Sequence, residues 1–305
     1  MNYFITPVLF LIFNRPETTY QVFSAIKKAK PSRLYVAADG PRSNFSNESK
    51  NCNLARSIAT KVNWECELKT LFHDKNLGCR MAVSQAIDWF FENEPEGIIL
   101  EDDCLPSQSF FWFCQEMLEN FRSDHAVGAI CGFYSNELEY KPSASYFFSR
   151  YLRVWGWAGW RRTIEGYDTN INLLIEKQNT WKKDIFARAD IILKFFWQDM
   201  FEEVAEGKID TWDTQLQFLL WQKRQQVVVS STNLVKNIGW AQGAHTLKKD
   251  HNHELATSEI NFPLKRPKIV ERDIRADKVI EKISYRITIF SFLKKLLRKM
   301  IRWKK

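Results

Sequence analysis

The segment Gly97-Ile98-Ile99-Leu100-Glu101-Asp102-Asp103 joins a short apolar run to three consecutive acids. The apolar run predicts a buried strand, which would place the acids at its carboxyl end. Adjacent carboxylates repel one another, so a bound cation, hydrogen bonds or water must offset their charge. Mg²⁺ or Mn²⁺ suits this role, because such hard cations prefer oxygen ligands and also bind phosphates. An acidic loop in water is the alternative, and the rest of the chain favours the site.

The first half of the chain alternates apolar strands with helical stretches, which is typical of an α/β domain with a mainly parallel sheet. Helices are predicted at about 16–28, 54–61 and 80–92. They separate four predicted strands: Val8–Phe13, Arg33–Ala38, Cys66–Phe72 and Gly97–Leu100.

Polar residues follow each of these strands. Ligands of open α/β sheets bind beyond the carboxyl ends of the strands, so residues at those ends are candidates for one shared site. The four polar clusters are Asn14-Arg15, Asp39, His73-Asp74 and Glu101-Asp102-Asp103.

The second half is less regular. It contains a Trp/Gly-rich ribbon from Trp155 to Trp160 and a polar, glycine-containing loop from Asn237 to His245. We predict strands at 127–131 and 227–230 and a helical region over 184–206. Asp210-Thr211-Trp212-Asp213 is predicted to open a further helix that runs to about residue 224.

Composition excludes several classes of protein. With 45% hydrophobic and 26% charged residues, the chain has the composition of an ordinary globular protein. Its six cysteines form no CxxC pair, which argues against zinc and favours free thiols in a reducing cytosol. The apolar run at the N-terminus, Pro7 to Phe13, is too short for a signal peptide or a spanning helix.

The net charge of +8 is unevenly distributed. Residues 265–305 hold 15 basic and 4 acidic residues, so the rest of the chain carries a net charge of −3. A nucleic-acid enzyme is expected to carry basic charge around its site. We therefore expect no nucleic-acid partner.

With these residues in order, the chain resembles the GT-A-fold glycosyltransferases that use nucleotide-sugar donors. It is most similar to the branch containing N-acetylglucosaminyltransferase I and related bacterial polysaccharide glycosyltransferases. The resemblance spans roughly residues 6–247 and implies a Rossmann-like fold, a nucleotide-sugar donor and Mn²⁺ or Mg²⁺. Many GT-A enzymes have an Asp-x-Asp motif where this chain has Glu101-Asp102-Asp103.

The resemblance also implies roles for individual residues. Asp103 would bind the metal directly, while Glu101 and Asp102 would support the ribose, the sugar or metal-bound water. Asp39 would lie near the base of the nucleotide, and Trp212-Asp213 would carry the catalytic base. The remaining matches are Asn14-Arg15 in the nucleotide-binding loop, Trp155-Gly156-Trp157 before the acceptor region, and Asn237-Ile238-Gly239 through His245-Thr246 in a loop that closes over the diphosphate.

Residue chemistry supports some of these roles and leaves alternatives. Arg15 or Arg80 can offer a guanidinium fork to a diphosphate, but either can be an ordinary surface arginine. Asp213 can deprotonate an acceptor hydroxyl, or it can cap a helix beginning at Thr214. Asp210 is its nearest rival.

Two further candidates for donor binding are ambiguous. Trp157 can stack on a sugar face, but core packing is the default for a chain with 12 tryptophans. His245 can bind the metal or the diphosphate, or it can be an ordinary surface histidine.

The C-terminal segment has the pattern of a basic amphipathic helix. From Ile283 onward, apolar residues recur near one helical face, with lysines and arginines around them. This pattern favours attachment to an anionic membrane, and a solvated tail or a partner-binding helix is the alternative. We divide the chain into a GT-A domain at 1–262, with a donor half at 1–125 and an acceptor half at 126–262, and a basic tail at 263–305.

The sequence therefore predicts a metal-dependent inverting glycosyltransferase on the cytoplasmic face of the membrane. It would transfer sugar from a nucleotide-diphosphate donor to a cell-surface polysaccharide or a lipid-linked glycan. A metal-dependent phosphoesterase or nucleotidyltransferase, or a non-catalytic sugar-binding protein, is the alternative.

Overall fold

The computed structural model describes residues 4–135, 139–171, 190–239, 256–290, 292–294 and 296. Its strands are β1 (Val8–Ile12), β2 (Arg33–Ala38), β3 (Glu67–Phe72), β4 (Glu96–Glu101), β5 (Cys104–Pro106), β6 (Val127–Cys131), β7 (Tyr146–Ser149), β8 (Trp157–Trp160), β9 (Gln226–Ser230) and β10 (Val235–Asn237). Its helices are α1 (Pro16–Ala29), α2 (Glu48–Ala59), α3 (Cys79–Asn93), α4 (Gln108–Asn120), α5 (Arg161–Ile164), α6 (Ile191–Ala205), α7 (Asp213–Gln222) and α8 (Ile274–Ile283).

Eight strands form one sheet in the order β3-β2-β1-β4-β8-β6-β9-β7. The first four are parallel to one another, and β6 is parallel to β9. Strand β8 is antiparallel to both β4 and β6, so β6 runs in the same direction as β4. Six of these eight strands therefore share one direction, and the predicted α/β class with a mainly parallel sheet is confirmed.

Helices cover both faces of the sheet. Strand β1 is buried on both sides, as its continuous apolar sequence predicts. Its residues Val8, Phe10 and Ile12 pack with α1, α2 and α4, whereas Leu9 and Leu11 share a core with α3, α6 and α7. Burial of these two apolar layers is the main source of stability of the fold.

The sheet has a topological switch point between β1 and β4. The chain moves outward from β1 to β2 and β3, and then returns to place β4 on the other side of β1. The loops that follow β1 and β4 consequently leave in different directions and open a crevice at the carboxyl edge of the sheet. This is where open α/β sheets bind ligands.

Two short elements build a lip over this crevice. Strand β5, directly after the acids, pairs with β10 in a separate two-stranded sheet. The sequence analysis did not predict β5, β7, β8, β10, α4, α5 or α8. The strands β5 and β10 have three residues each, too few to show a periodic pattern.

The C-terminal segment corrects the predicted domain boundary at residue 263. Helix α8 packs against the body, with Ala276 and Asp277 fully buried, and the backbone N–H of Asp273 donates to the carbonyl of Phe148. Tyr285 packs against Tyr151 and Trp197. A separate tail therefore begins no earlier than about residue 286. No helix in the described part of the chain has the length and apolar character needed to cross a membrane.

The buried carboxyl of Asp277 holds α8 in place. It accepts a hydrogen bond from Ser149 Oγ at 2.5 Å, and it forms an ion pair with Arg272. Burial raises the pKa of Asp277 to about 6, despite the opposing charge of Arg272 and the hydrogen bonds from Ser149 and the Arg150 N–H; Glu281 adds to the increase.

We expect Asp277 to make the stability of the protein depend on pH. Its folded pKa is higher than its unfolded pKa, so its contribution is complete below about pH 4 and is lost as the pH rises through about 6. Relative to Asp277→Asn, the wild-type free energy of unfolding should fall by about 1–3 kcal/mol between pH 4 and pH 7. Denaturant unfolding at a series of pH values measures this difference. Glu271→Gln, which changes an exposed acid of the same segment, should show no such trend.

Candidate functional site

A cavity of about 540 Å³ opens at the switch point. Its lining includes residues after β1, β2 and β4 and residues from the start of α3. Among the predicted site residues, it brings together Asn14, Arg15, Asp39, Glu101 and Asp102.

Asp102 and Asp103 connect β4 to the loop after β1. One carboxyl oxygen of Asp102 accepts the backbone N–H of Phe13 at 3.0 Å. Arg15 Nη1 donates to Asp103 Oδ2 at 2.7 Å and lies 3.6 Å from Asp102 Oδ1. A single guanidinium thus joins the two strands across the crevice and faces both carboxylates.

The charge of the acids exceeds what Arg15 compensates. Burial raises the pKa of Asp102 to about 7, with the charge of Asp103 as the next cause. The pKa of Glu101 is raised well above its usual value by burial and by the charges of Asp103, Asp102 and Asp213. Burial lowers the pKa of Arg15, but the charges of Asp102 and Asp103 raise it by more, so the net result is a raised pKa.

This excess of negative charge fits a hard divalent cation. No three His, Cys, Asp or Glu side chains of the described residues converge in an arrangement that could hold a metal ion. Mg²⁺, however, is commonly held by one or two carboxylates, with water and phosphate oxygens completing its shell. The carboxyl of Glu101 has no hydrogen-bond partner among the described residues and is available to such a shell.

The lip formed by β5 and β10 closes tightly on Asp103. The backbone N–H of Ile238 donates to the carbonyl oxygen of Asp103 at 2.7 Å. A Cβ atom at Gly239 would overlap the Asp103 carboxyl, so only glycine allows this approach. The loop from Asn237 to Thr246 was predicted to close over the diphosphate. This stays a prediction, because residues 240–255, including His245, lie outside the described residues.

Asp39 organises the wall of the cavity. Its carboxyl oxygens accept the backbone N–H groups of Gly40, Leu77 and Gly78 and the side-chain amide of Asn76, at 2.7–3.1 Å. Four donors occupy most of its acceptor capacity. Asp39 therefore lines the cavity, but its main role in this structure is to hold the loop before α3.

Asn14 belongs to a cluster that the sequence analysis missed. Its amide donates to Glu48 at 2.7 Å, and the buried carboxyl of Glu48 also accepts from Arg42. The guanidinium carbon of Arg42 lies 3.9 Å from the centre of the Phe45 ring. This places a flat, half-exposed cation at the mouth of the cavity. The turn Asp39-Gly40-Pro41 was the nearest signal in the sequence, but it did not show that Glu48 folds back.

Asp213 is the first residue of α7, and Trp212 occupies the N-cap position. The Asp213 carboxyl accepts the backbone N–H of Thr214 at 2.9 Å and the hydroxyl of Thr211. Its charge contributes to the raised pKa of Glu101, but Asp213 is not among the residues that line the cavity. Arg80 Nε lies 3.6 Å from Asp210 Oδ1. Asp210 lines the cavity, but Arg80 does not.

The structure corrects the expectation that Trp157 presents a face to sugar. Its side chain has no exposed surface and stacks at 6.2 Å on Trp212, inside the core shared by β6, β8 and α7. Trp157 therefore packs in the core, which was the alternative given in the sequence analysis.

Comparisons with known proteins add little to this geometry. No protein-family model matches the chain, and no curated protein matches it. The chain is similar in structure to UDP-glucose pyrophosphorylase complexed with UDP-glucose, at 10% identity and a TM-score of 0.37 over 78% of this chain and 95% of the other. For galactosyltransferase LgtC with donor and acceptor sugar analogs, the identity is 10% and the TM-score 0.34 over 70% of each chain.

A third similar structure is HddC from Yersinia pseudotuberculosis, at 9% identity and a TM-score of 0.33 over 53% of this chain and 80% of the other. At these scores the likenesses carry no argument about the function of this chain. The finer resemblance to the N-acetylglucosaminyltransferase I branch stays a prediction.

Proposed function

We propose that this protein is a metal-dependent, inverting glycosyltransferase that moves a sugar from a nucleotide-diphosphate donor to a glycan or lipid-linked acceptor. The observation that carries this proposal is the Arg15–Asp103 pair at the switch point, beside a nucleotide-sized cavity. The charge of Asp213 also contributes to the raised pKa of Glu101, which lines that cavity. In this proposal the three features would supply a phosphate contact, a donor pocket and a catalytic base.

The donor would enter the cavity with its nucleoside between the loops after β1 and β2. Arg42 offers a guanidinium plane at the mouth of the cavity, and planes of this kind stack on bases. The diphosphate would lie toward the carboxyl end of β4, where Arg15 can donate two N–H groups to phosphate oxygens.

Asp103, supported by Glu101 and Asp102, would hold Mn²⁺ or Mg²⁺. When bound, the cation supplies positive charge that stabilises the departing nucleoside diphosphate. Arg15 pairs with Asp103 in this structure, and phosphate oxygens would compete for the same guanidinium. Donor binding would thereby release Asp103 from part of its ion pair.

Asp213 would accept the proton of the acceptor hydroxyl. The Thr211 hydroxyl and the Thr214 N–H both donate to Oδ1, which leaves Oδ2 without a hydrogen-bond partner among the described residues. A single base and a single displacement invert the anomeric centre, and a carboxylate suffices where the sugar develops oxocarbenium character.

We further propose that the C-terminal segment attaches the enzyme to the cytoplasmic face of a membrane. Residues 289–305 contain seven lysines and arginines and no acid. Ile289, Phe290 and Leu293 are exposed, whereas Phe292 packs 5.0 Å from Phe195 of α6. Apolar side chains beside cations are the chemistry that an anionic bilayer surface recognises.

A donor screen tests the proposed function directly. The protein is incubated with UDP-, GDP-, CMP- and dTDP-sugars with and without Mn²⁺, and metal-dependent increases in Tm identify the donor because a bound ligand stabilises the folded state. Product analysis then separates the candidates. A glycosyltransferase releases nucleoside diphosphate, whereas pyrophosphate or monophosphate release would favour the nucleotidyltransferase or phosphoesterase. Binding without turnover across acceptors would favour a non-catalytic protein.

Asp103→Asn should nearly abolish turnover and lower Mn²⁺-dependent nucleotide affinity at least about 10-fold, because a neutral amide is a weak ligand for a hard cation. Calorimetric titration with the nucleotide found in the screen measures the change. The exposed acid Glu65 gives the matched control Glu65→Gln, which should bind like the wild type. Unchanged metal-dependent affinity in Asp103→Asn would exclude Asp103 as a ligand.

Asp213→Asn should separate chemistry from binding. Loss of the base should lower kcat about 100-fold or more, with donor affinity nearly intact. Asp210→Asn serves as the comparison, since Asp210 was the nearest rival and pairs with Arg80. A donor-binding defect as large as the rate defect would show that Asp213 only stabilises the start of α7. A product with retained configuration would contradict the inverting mechanism.

Deleting residues 289–305 should release the protein from vesicles of 3:1 phosphatidylcholine and phosphatidylglycerol, and leave transfer to a soluble acceptor analogue intact. Each basic residue near an anionic surface contributes about 1 kcal/mol, so binding by the full chain should also weaken as salt rises. Co-sedimentation measures binding. Equal sedimentation of the truncated and full chains would rule out this attachment.

A further inference from the structure

Arg153 stands on the same edge of the sheet as the acids, two strands away from β4. It lies in the connection between β7 and β8, four residues before Trp157, which pairs with Cys131 at the carboxyl end of β6. The Cys131 thiol donates to the Arg153 carbonyl oxygen at 3.1 Å, which fixes the backbone at this edge. No residue of this connection lines the donor cavity.

Three aromatic rings surround the guanidinium of Arg153. Its central carbon lies 5.6 Å from the centre of the Phe133 ring, 5.0 Å from Trp155 and 5.4 Å from Tyr285. Phe133 and Trp155 themselves pack edge to face at 4.6 Å. Aromatic faces attract a cation and fix its position, but they accept few of its hydrogen bonds.

The guanidinium lacks a carboxylate partner among the described residues. The acids of the neighbouring helix α8 are engaged elsewhere: Asp277 with Ser149 and Arg272, and Glu281 with the hydroxyl of Tyr151. Arg153 shares a side-chain hydrogen bond with Tyr285, and most of its five N–H donors have no acceptor among the described residues. A half-buried, permanently charged arginine with no carboxylate partner among the described residues is suited to bind an anionic ligand.

The sheet order places Asp213 between this cation and the donor site. Its chain neighbour Trp212 stacks on Trp157 of β8, and β8 lies between β4, which carries the acids, and β6, whose end contacts Arg153. Burial raises the pKa of Tyr285, and the charge of Asp213 adds to that increase. The same carboxylate contributes to the raised pKa of Glu101. By the order of the strands, Arg153 is on the side of the proposed base away from the donor cavity, where the proposed acceptor would approach.

We propose that Arg153, held by Phe133, Trp155 and Tyr285, binds a phosphate group carried by the acceptor. The inference rests on the proposed function and narrows the acceptor to a phosphate-bearing molecule, such as a lipid-linked one. A guanidinium can donate two parallel hydrogen bonds to phosphate oxygens, and an aromatic setting gives the pair little competition from water. The diphosphate of the donor is the other group that could present phosphate oxygens to Arg153.

Titration of the full chain with n-octyl phosphate tests this site, in calorimetry with and without saturating nucleotide from the donor screen. The wild type should bind the probe with the nucleotide present. Arg153→Met should weaken binding at least about 10-fold, since a charge-assisted pair is lost, and Arg153→Lys should keep part of the affinity. Arg15→Met is the matched control: it should lose nucleotide affinity and keep that for octyl phosphate. Thermal melts confirm that each variant is folded.

Each outcome decides the inference. Equal affinity of wild type, Arg153→Met and Arg153→Lys for octyl phosphate would overturn it. Displacement of octyl phosphate by the nucleotide would place the phosphate in the donor site and overturn the acceptor assignment. The titration without nucleotide remains informative if the donor screen finds no donor, so failure of the proposed function is distinguished from failure of this site.

Discussion

The contact between Arg15 and Asp103 is the constraint on which the rest of the site depends. Three consecutive acids at the end of a buried strand cannot all keep their charge without compensation, and the raised pKa values of Glu101 and Asp102 show that one guanidinium is not enough. The chain nevertheless holds Asp103 with an arginine, a backbone contact to Ile238 and a glycine at 239. So much local structure around a repulsive cluster is what the proposed ligand site would need, since the cluster itself does not stabilise the fold.

The parts of the fold that could be predicted from sequence are those with long, regular patterns. Strands β1 to β4 and helices α1 and α3 were placed within two residues, because apolar runs and helical periodicity are local properties. Their order also predicted which polar residues meet, because the carboxyl ends of parallel strands share an edge. Asn14, Arg15, Asp39, Glu101 and Asp102 line one cavity as a result.

What could not be predicted depends on contacts between distant segments. Glu48 reaches Asn14 and Arg42 only because α2 begins six residues earlier than its apolar pattern indicates. Helix α8 was predicted as part of a basic, membrane-associating tail, yet its buried Asp277 accepts a hydrogen bond from Ser149, 128 residues away in the chain. Aromatic residues are ambiguous for a related reason. Trp157 and Trp155 belong to one ribbon, but one is fully buried and the other borders Arg153.

The packing of Tyr285 connects the C-terminal segment to the chemistry. Its ring contacts Arg153 and the Trp197 cluster, and the chain continues from it toward the exposed apolar residues Ile289 and Phe290. A segment that touches a bilayer would therefore leave the body beside the acceptor side of the proposed base. An acceptor that is itself anchored in that bilayer would need to reach only a short distance from the surface. With the proposed membrane contact on the same side as Arg153, which has no carboxylate partner among the described residues, the arrangement would suit a lipid-linked, phosphate-bearing acceptor.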